Sequence, residues 1–348
     1  MILMDKEKTH SLRLLVILYL FTTLITWLVA EYADAPFVFV FKHTEVMMLA
    51  VTLYLGLLGV SWDGLLFVLS IIIKIVQYHK WPTTTLFLTI PSLKKFRFFP
   101  RGIFPLILVV ITAFIIYGTG NITLISLKFL ESTTEWRDVF FWSIEQSHFT
   151  WITSLPIDVN SWDLLYHSAW GIELFAAFIL ILISSQSRTT LAYCVSMILL
   201  YYTGRYLGVL NPVQGPAFFN PELFTYLSGS VTDTAMIKVA EIMAAAPEVA
   251  RDQSGVLLGG VSAMPSLHLG MVTLTSFWLA YEKRATLFIS IPWVLLVWTS
   301  TVVLGWHYIL DGAGGIVLGL LCVWATYRIL GLSETRSMYI GEPETVST

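Results

Sequence analysis

Apolar residues fall in long blocks along this chain, separated by shorter polar loops. The blocks 12–30, 103–119, 164–184, 189–210, 264–281, 286–305 and 308–329 each approach the roughly 20 residues that a helix needs to cross a bilayer core. A further block, 45–76, is too long for one upright helix, and Asp63 and Gly64 interrupt it. It reads as one long tilted helix, as a span followed by an interfacial segment, or as two short spans. The expected fold is all-α, a polytopic transmembrane helix bundle of about eight spans, with neither an internal repeat nor a soluble domain.

Charge sets the expected orientation. His79, Lys80, Lys94, Lys95, Arg97 and Arg101 share one loop, Arg188 sits in another, and Lys283 and Arg284 lie in a third. Basic loops stay cytoplasmic. A single crossing at 45–76 gives eight spans with both termini cytoplasmic and every basic loop inside, a parity that two crossings would break. The acid-rich segments 120–163 and 211–263 then face outward. Trp136, Phe140, Phe141, Trp142, Phe149 and Trp151 crowd the first, as expected of a segment in the headgroup layer. In the second, Asp233 could cap a short helix with an apolar stripe of Met236, Val239, Ala240 and Met243, ended by Pro247. That pattern suits an interfacial lid, or else a packed extracellular loop.

Composition agrees with the blocks. Of 348 residues 56% are hydrophobic and 12% charged, against about 25% charged in soluble domains, so lipid must be part of the solvent. A net charge of −3 argues against nucleic acid as a partner. The 13 Trp, 15 Tyr and 22 Phe suit two aromatic belts. Cys194 and Cys322 lie in apolar stretches, behave as small hydrophobes, and resemble no zinc pattern. Ala33-Asp34-Ala35 faintly resembles a signal-peptidase site, but 14–30 is expected to remain as the first span.

Two stretches carry chemistry. Ala263-Met264-Pro265-Ser266-Leu267-His268-Leu269-Gly270 lies at the expected outer start of a span. Proline suits the first helical turn, whose free N–H groups and dipole attract an anion. Ser266 adds a hydroxyl donor there, and His268 adds an acid–base group. In Gly305-Trp306-His307-Tyr308-Ile309-Leu310-Asp311, the spacing of His307 and Asp311 makes them neighbours on one helix face. A carboxylate beside an imidazole fixes its tautomer and favours its charged form, and a histidine so oriented can act as nucleophile or base. A lone interfacial histidine is commonly just a hydrogen-bonded or snorkelling residue. Two on one surface, with a carboxylate and a Pro-Ser helix start, reverse that expectation. Asp163 and His167 share the same spacing and read as interfacial capping.

Pro265–His268 and His307–Asp311 resemble the second and third signature motifs of the type 2 phosphatidic acid phosphatase superfamily. The forms Pro-Ser-Leu-His and His-Tyr-Ile-Leu-Asp are most similar to its inositol phosphorylceramide synthase branch. The stretch Tyr201–Pro216 lies where the first motif should, so the similarity covers about 160–329. It implies a six-helix catalytic core over 103–329, preceded by two added spans and a basic cytoplasmic loop in 1–102 and followed by a cytoplasmic tail, 330–348. It also implies His307 as the nucleophile through a phosphohistidine, Asp311 orienting it, and His268 protonating the leaving oxygen, with no metal or other cofactor.

The departures from the family pattern are specific. Thr301 stands where the phosphatases have an arginine six residues before the nucleophile, and Asn211-Pro212 where they have Arg-Pro. Arg205, near the outer end of a span, is the expected substitute, as an intramembrane ionisable residue is a functional candidate by default; snorkelling or pairing with Glu173 is its plainer role. Gln214 and backbone amides could supply further donors, and Asn211 and Tyr202 complete the expected substrate-binding set. The leading expectation is a lipid phosphotransferase working at the extracytoplasmic face, with membrane lipids as donor and acceptor and no protein partner implied. A lipid phosphatase could use the same residues. A transporter could use Glu173, Arg205 and Asp63, though the paired broken helices of many transporters are missing.

Overall fold

The computed structural model describes residues 6–39, 104–132, 136–184, 187–252 and 262–332. The block 45–76, the basic loop 79–101 and the tail from 333 onward lie outside the described residues, and with them the number of crossings at 45–76. Within those bounds the chain is helical and contains no strand. In chain order the helices are α1 (Lys6–Tyr32), α2 (Phe104–Tyr117), α3 (Gly120–Ser132), α4 (Asp138–Thr153), α5 (Val159–Ile183) and α6 (Ser187–Leu210). There follow α7 (Pro216–Phe219), α8 (Val231–Met243), α9 (Pro247–Asp252), α10 (Leu267–Glu282), α11 (Leu287–Val303) and α12 (Ile309–Leu330). Among the described residues five stretches are long and apolar enough to cross a membrane: Lys6–Tyr32, Ile107–Glu131, Val159–Ile181, Arg284–Val303 and Ile309–Leu330. They fit an integral, multi-pass membrane protein.

Helices α6 and α10 fall short of that standard for a physical reason. Helix α6 packs against α2, α10 and α12, so its neighbours are protein rather than lipid. It can therefore carry Thr189, Thr190, Ser196, Tyr201, Tyr202 and Arg205, all buried. The Ser196 hydroxyl shows how such groups are satisfied. It lies 2.8 Å from Thr326 Oγ1 on α12 and accepts from the Trp278 indole of α10 at 3.2 Å. Leu180, Leu200, Met271, Leu274 and Leu318 pack around Trp278. Helix α10 has only 16 residues, about 24 Å of helix, and lies unusually close to α12. A Cβ at Gly319 would stand 2.8 Å from the Gly270 carbonyl oxygen, and one at Gly315 would collide with that of Ser266. Small residues permit this close approach of two helix backbones.

The apolar block 103–119 does not end the second described crossing, because the helix resumes at Gly120 and the candidate span reaches Glu131. The polar residues after 118 are turned into protein. Thr119, Asn121, Thr123 and Ser126 are buried, and the Asn121 amide bonds both backbone groups of Val38, at 2.8 and 2.9 Å. The aromatic segment that follows is α4, and it is only partly a headgroup-facing element. Phe140 and Trp151 are exposed, whereas Phe141 and Phe149 are buried against Tyr308.

The short helix expected after Asp233 is α8, with different ends. Ser230 is its N-cap, accepting from the Asp233 N–H at 3.0 Å, and Asp233 sits in the first turn. The helix stops at Met243, and Pro247 opens α9 instead of closing α8. Proline fits a first turn because its missing N–H would have no partner there.

Candidate active site

The loop from α11 to α12 brings the third-motif residues together. Gly305 has φ +69°, and a Cβ there would stand 2.6 Å from Ala217 and 2.7 Å from Phe224, so only glycine fits. The carbonyl of Thr301 then accepts from the N–H groups of Trp306 and His307 at 3.0 and 3.2 Å. Helix α12 starts at Ile309 with Tyr308 as N-cap, and Asp311 accepts from the Tyr308 N–H at 2.9 Å. His307 therefore precedes the helix, and the expectation that it shares a helix face with Asp311 is corrected. Its Nδ1 lies 3.7 Å from Asp311 Oδ2, beyond hydrogen-bond distance, because that oxygen caps the helix. His307 Nδ1 and Asp311 Oδ1 are both buried without a hydrogen bond among the described residues.

The second-motif stretch meets this turn directly. Helix α10 begins at Leu267, so Pro265 lies before the first turn and not in it. Ser266 is the N-cap: its Oγ accepts from the Leu269 N–H at 3.4 Å, and its N–H donates to the Asp311 carbonyl at 3.0 Å. The Ser266 hydroxyl thus serves the helix end. One residue further into the helix, His268 places its ring centroid 6.2 Å from that of His307. Its Nε2 accepts from the Trp170 indole at 2.7 Å, which leaves Nδ1 as the proton-bearing nitrogen of a neutral ring.

Both imidazoles border a cavity of about 270 Å³, whose polar lining includes His167, Trp170, Arg205 and Gln214. Helix α8 closes one side with Ala235, Val239 and Met243. Arg205 is buried, and its Nη1 donates to Thr123 Oγ1. Glu173, the alternative partner considered for Arg205, accepts from the Trp293 indole at 2.9 Å. Two other expected substrate-binding residues are not brought to the cavity. The Tyr202 hydroxyl donates to the Ile115 carbonyl at 3.0 Å and borders a separate crevice with Tyr19 and Gly118. Asn211 closes the end of α6, its N–H donating to the Leu207 carbonyl at 2.9 Å.

Of the groups that hold these loops in place, the sequence reading singled out only Asp163, as interfacial capping. Three buried carboxylates each accept from two successive backbone N–H groups. Glu145 takes Ile309 and Leu310 at 2.7 and 2.8 Å, which fastens the start of α12 to α4. Asp138 takes Gln214 and Gly215 at 2.9 and 3.0 Å, and also the Tyr308 hydroxyl at 3.1 Å. Asp163 takes Val231 and Thr232 at 2.9 and 3.2 Å, so it caps α8 rather than its own helix. Burial pushes the Asp138 and Glu145 carboxyls above their ordinary values, against the opposing pull of these hydrogen bonds. Burial likewise pushes up the Tyr308 hydroxyl. One signal was available: Asp138, Phe141, Glu145 and Phe149 form a helical stripe, and acids inside an apolar stripe imply buried partners.

The family model described as PAP2 superfamily matches residues 135–325, the stretch that contains both histidine motifs and all three carboxylates. Neither the curated proteins nor the solved structures contain a match.

Proposed function

Because the chain belongs to the PAP2 superfamily, and is thereby an enzyme of the phosphatase or phosphotransferase kind, we propose that it transfers a phospho-head group between membrane lipids. His307 is the nucleophile of this reading. Its Nε2 forms a bond to phosphorus while the ester P–O bond breaks, and the leaving oxygen takes a proton from His268 in its imidazolium form, the ring having taken up a proton and released the Trp170 indole. An acceptor hydroxyl then passes its proton to His268 as its oxygen bonds to phosphorus, and the P–N bond to His307 breaks. Asp311 lies behind Nδ1 of His307 and offsets the charge of the phosphorylated ring, while Arg205 and Gln214 hold phosphate oxygens. The site would open to the extracytoplasmic face, both termini being cytoplasmic.

The observation that carries this reading is the pair of imidazoles across one cavity, centroids 6.2 Å apart, in the segment that matches the family. Acid and nucleophile must bracket a single phosphorus, and that gap admits one. Transfer is preferred to hydrolysis because α8 covers the cavity with apolar side chains, and exclusion of water suppresses hydrolysis of a reactive intermediate. The same residues would serve a lipid phosphatase if water reached phosphorus.

The test is to incubate purified protein with a phospholipid labelled in its phosphate, with and without an added alcohol acceptor. Acid-labile, base-stable label on the protein, absent in His307→Ala, and product exceeding free phosphate are expected. Label that survives in His307→Ala would reject the nucleophile. Rapid release of inorganic phosphate with no transfer to any alcohol would favour the phosphatase.

A further inference from the structure

The proposed reaction uses His268, His307, Asp311 and Arg205 but gives no role to His167, a histidine of the same cavity. His167 projects from α5 into the same cavity, one turn before Trp170, which donates to His268. Behind it lies Asp163, a buried carboxylate whose oxygens are held by the Val231 and Thr232 N–H groups. Asp163 Oδ1 stands 3.8 Å from His167 Nε2, and Thr232 Oγ1 of α8 stands 3.4 Å from the same nitrogen. The other charged or titratable groups lining the cavity, among the described residues, are Arg205 on α6, Tyr166 on α5, His268 on α10 and His307 in the turn before α12. Among the described residues no Asp, Glu or Lys side chain lines it.

This lining is lopsided for an anion. Among the described residues Arg205 is its one permanent cation, and the proton that His268 carries is spent on the leaving oxygen. A phosphate ester bound there would retain negative charge, of which one guanidinium compensates only part. We propose that His167, protonated and backed by Asp163 as its counter-charge, is a second phosphate-contacting cation of this site. The inference rests on the reading of the cavity as the place where a phosphate group binds. It makes Asp163 a positioning residue that joins two tasks, holding the imidazolium and fastening the first turn of α8 over the bound group.

Orthovanadate, a phosphate analogue, tests the inference by titration against the purified full-length protein in detergent. His167→Gln keeps the size and polarity of the side chain but cannot become charged, while His167→Arg and His167→Lys keep the charge. Loss of a charge-assisted contact should weaken orthovanadate binding about ten-fold or more in His167→Gln, and at least one charged variant should bind within about three-fold of wild type. Unchanged affinity in His167→Gln overturns the inference. So does equal weakening in all three variants when their thermal unfolding matches wild type, since the shape of the ring and not its charge would then matter. If wild type itself fails to bind orthovanadate, the phosphate reading of the cavity falls, a result distinct from wild-type binding that His167→Gln leaves intact.

Discussion

Replacing Glu145 by alanine removes the acceptor of two backbone N–H groups in the first turn of α12, those of Ile309 and Leu310. Hydrogen bonds to a charged acceptor are worth roughly 1.5–3 kcal/mol each, and a carboxylate at a helix N-terminus adds about 0.3–1 kcal/mol. Two effects reduce the sum. Burial of the carboxyl opposes its ionised form, and both N–H groups belong to residues that water can partly reach. A net loss of about 2–3 kcal/mol follows from the low end of these ranges. The loss falls on a turn held at its other end by Thr301, so His307 should gain freedom, and misplacing a reacting group by about 1 Å can cost on the order of a hundred-fold in rate. The assay is single-turnover labelling of His307 by a phospholipid donor. Glu145→Ala should slow labelling by about 10–100-fold with little change in donor KM, and should lower the midpoint of thermal unfolding. Glu145→Gln keeps one acceptor but turns its NH₂ toward the second N–H, so it should show an intermediate loss. Wild-type labelling and unfolding in Glu145→Ala would refute the reasoning.

Three further outcomes are expected. Arg205→Gln should lower kcat/KM by roughly 10–100-fold, the equivalent of one charge-assisted hydrogen bond, while Arg328→Gln, at the far end of α12, should stay within about two-fold; equal losses would remove Arg205 from the site. Gly315→Ala forces a methyl onto the Ser266 carbonyl, so α10 and α12 must separate, and activity should collapse together with thermal stability; normal activity would show that the two helices are not held at this distance. Burial raises Asp138 and Glu145 above 3.8 and 4.5, so the folded state binds these protons more tightly than the unfolded chain does. Their contribution is full below the unfolded values and lost as pH rises through the folded ones. Unfolding midpoints measured between about pH 4 and 7 should therefore fall with pH in wild type more steeply than in an Asp138→Asn, Glu145→Gln double variant, and parallel curves would dismiss the effect.

Much of the architecture follows from residue-by-residue solubility. A block of about 20 apolar residues must leave water, and inside lipid its backbone must bond to itself, so helices such as 309–330 are legible from local composition alone. The two histidine stretches are legible too, because each is short and a helix start writes its own signals, here Pro-Ser before Leu267 and Tyr-Ile-Leu-Asp around Ile309. Local signals do not fix which way a side chain points once a helix is buried on most sides, for the one-sided hydrophobic stripe that would show its inner face is then missing. Tyr202 and Arg205 sit one turn apart on α6, yet Arg205 lines the cavity bordered by the two histidines and Tyr202 a separate crevice. The fastening of the site was still less visible. Tyr308 meets Asp138 across 170 residues of sequence, and Leu310 meets Glu145 across 165. Which buried carboxylate accepts from which N–H is decided only when packing brings the two together, since a carboxylate out of water takes whatever donors the tertiary structure leaves within reach.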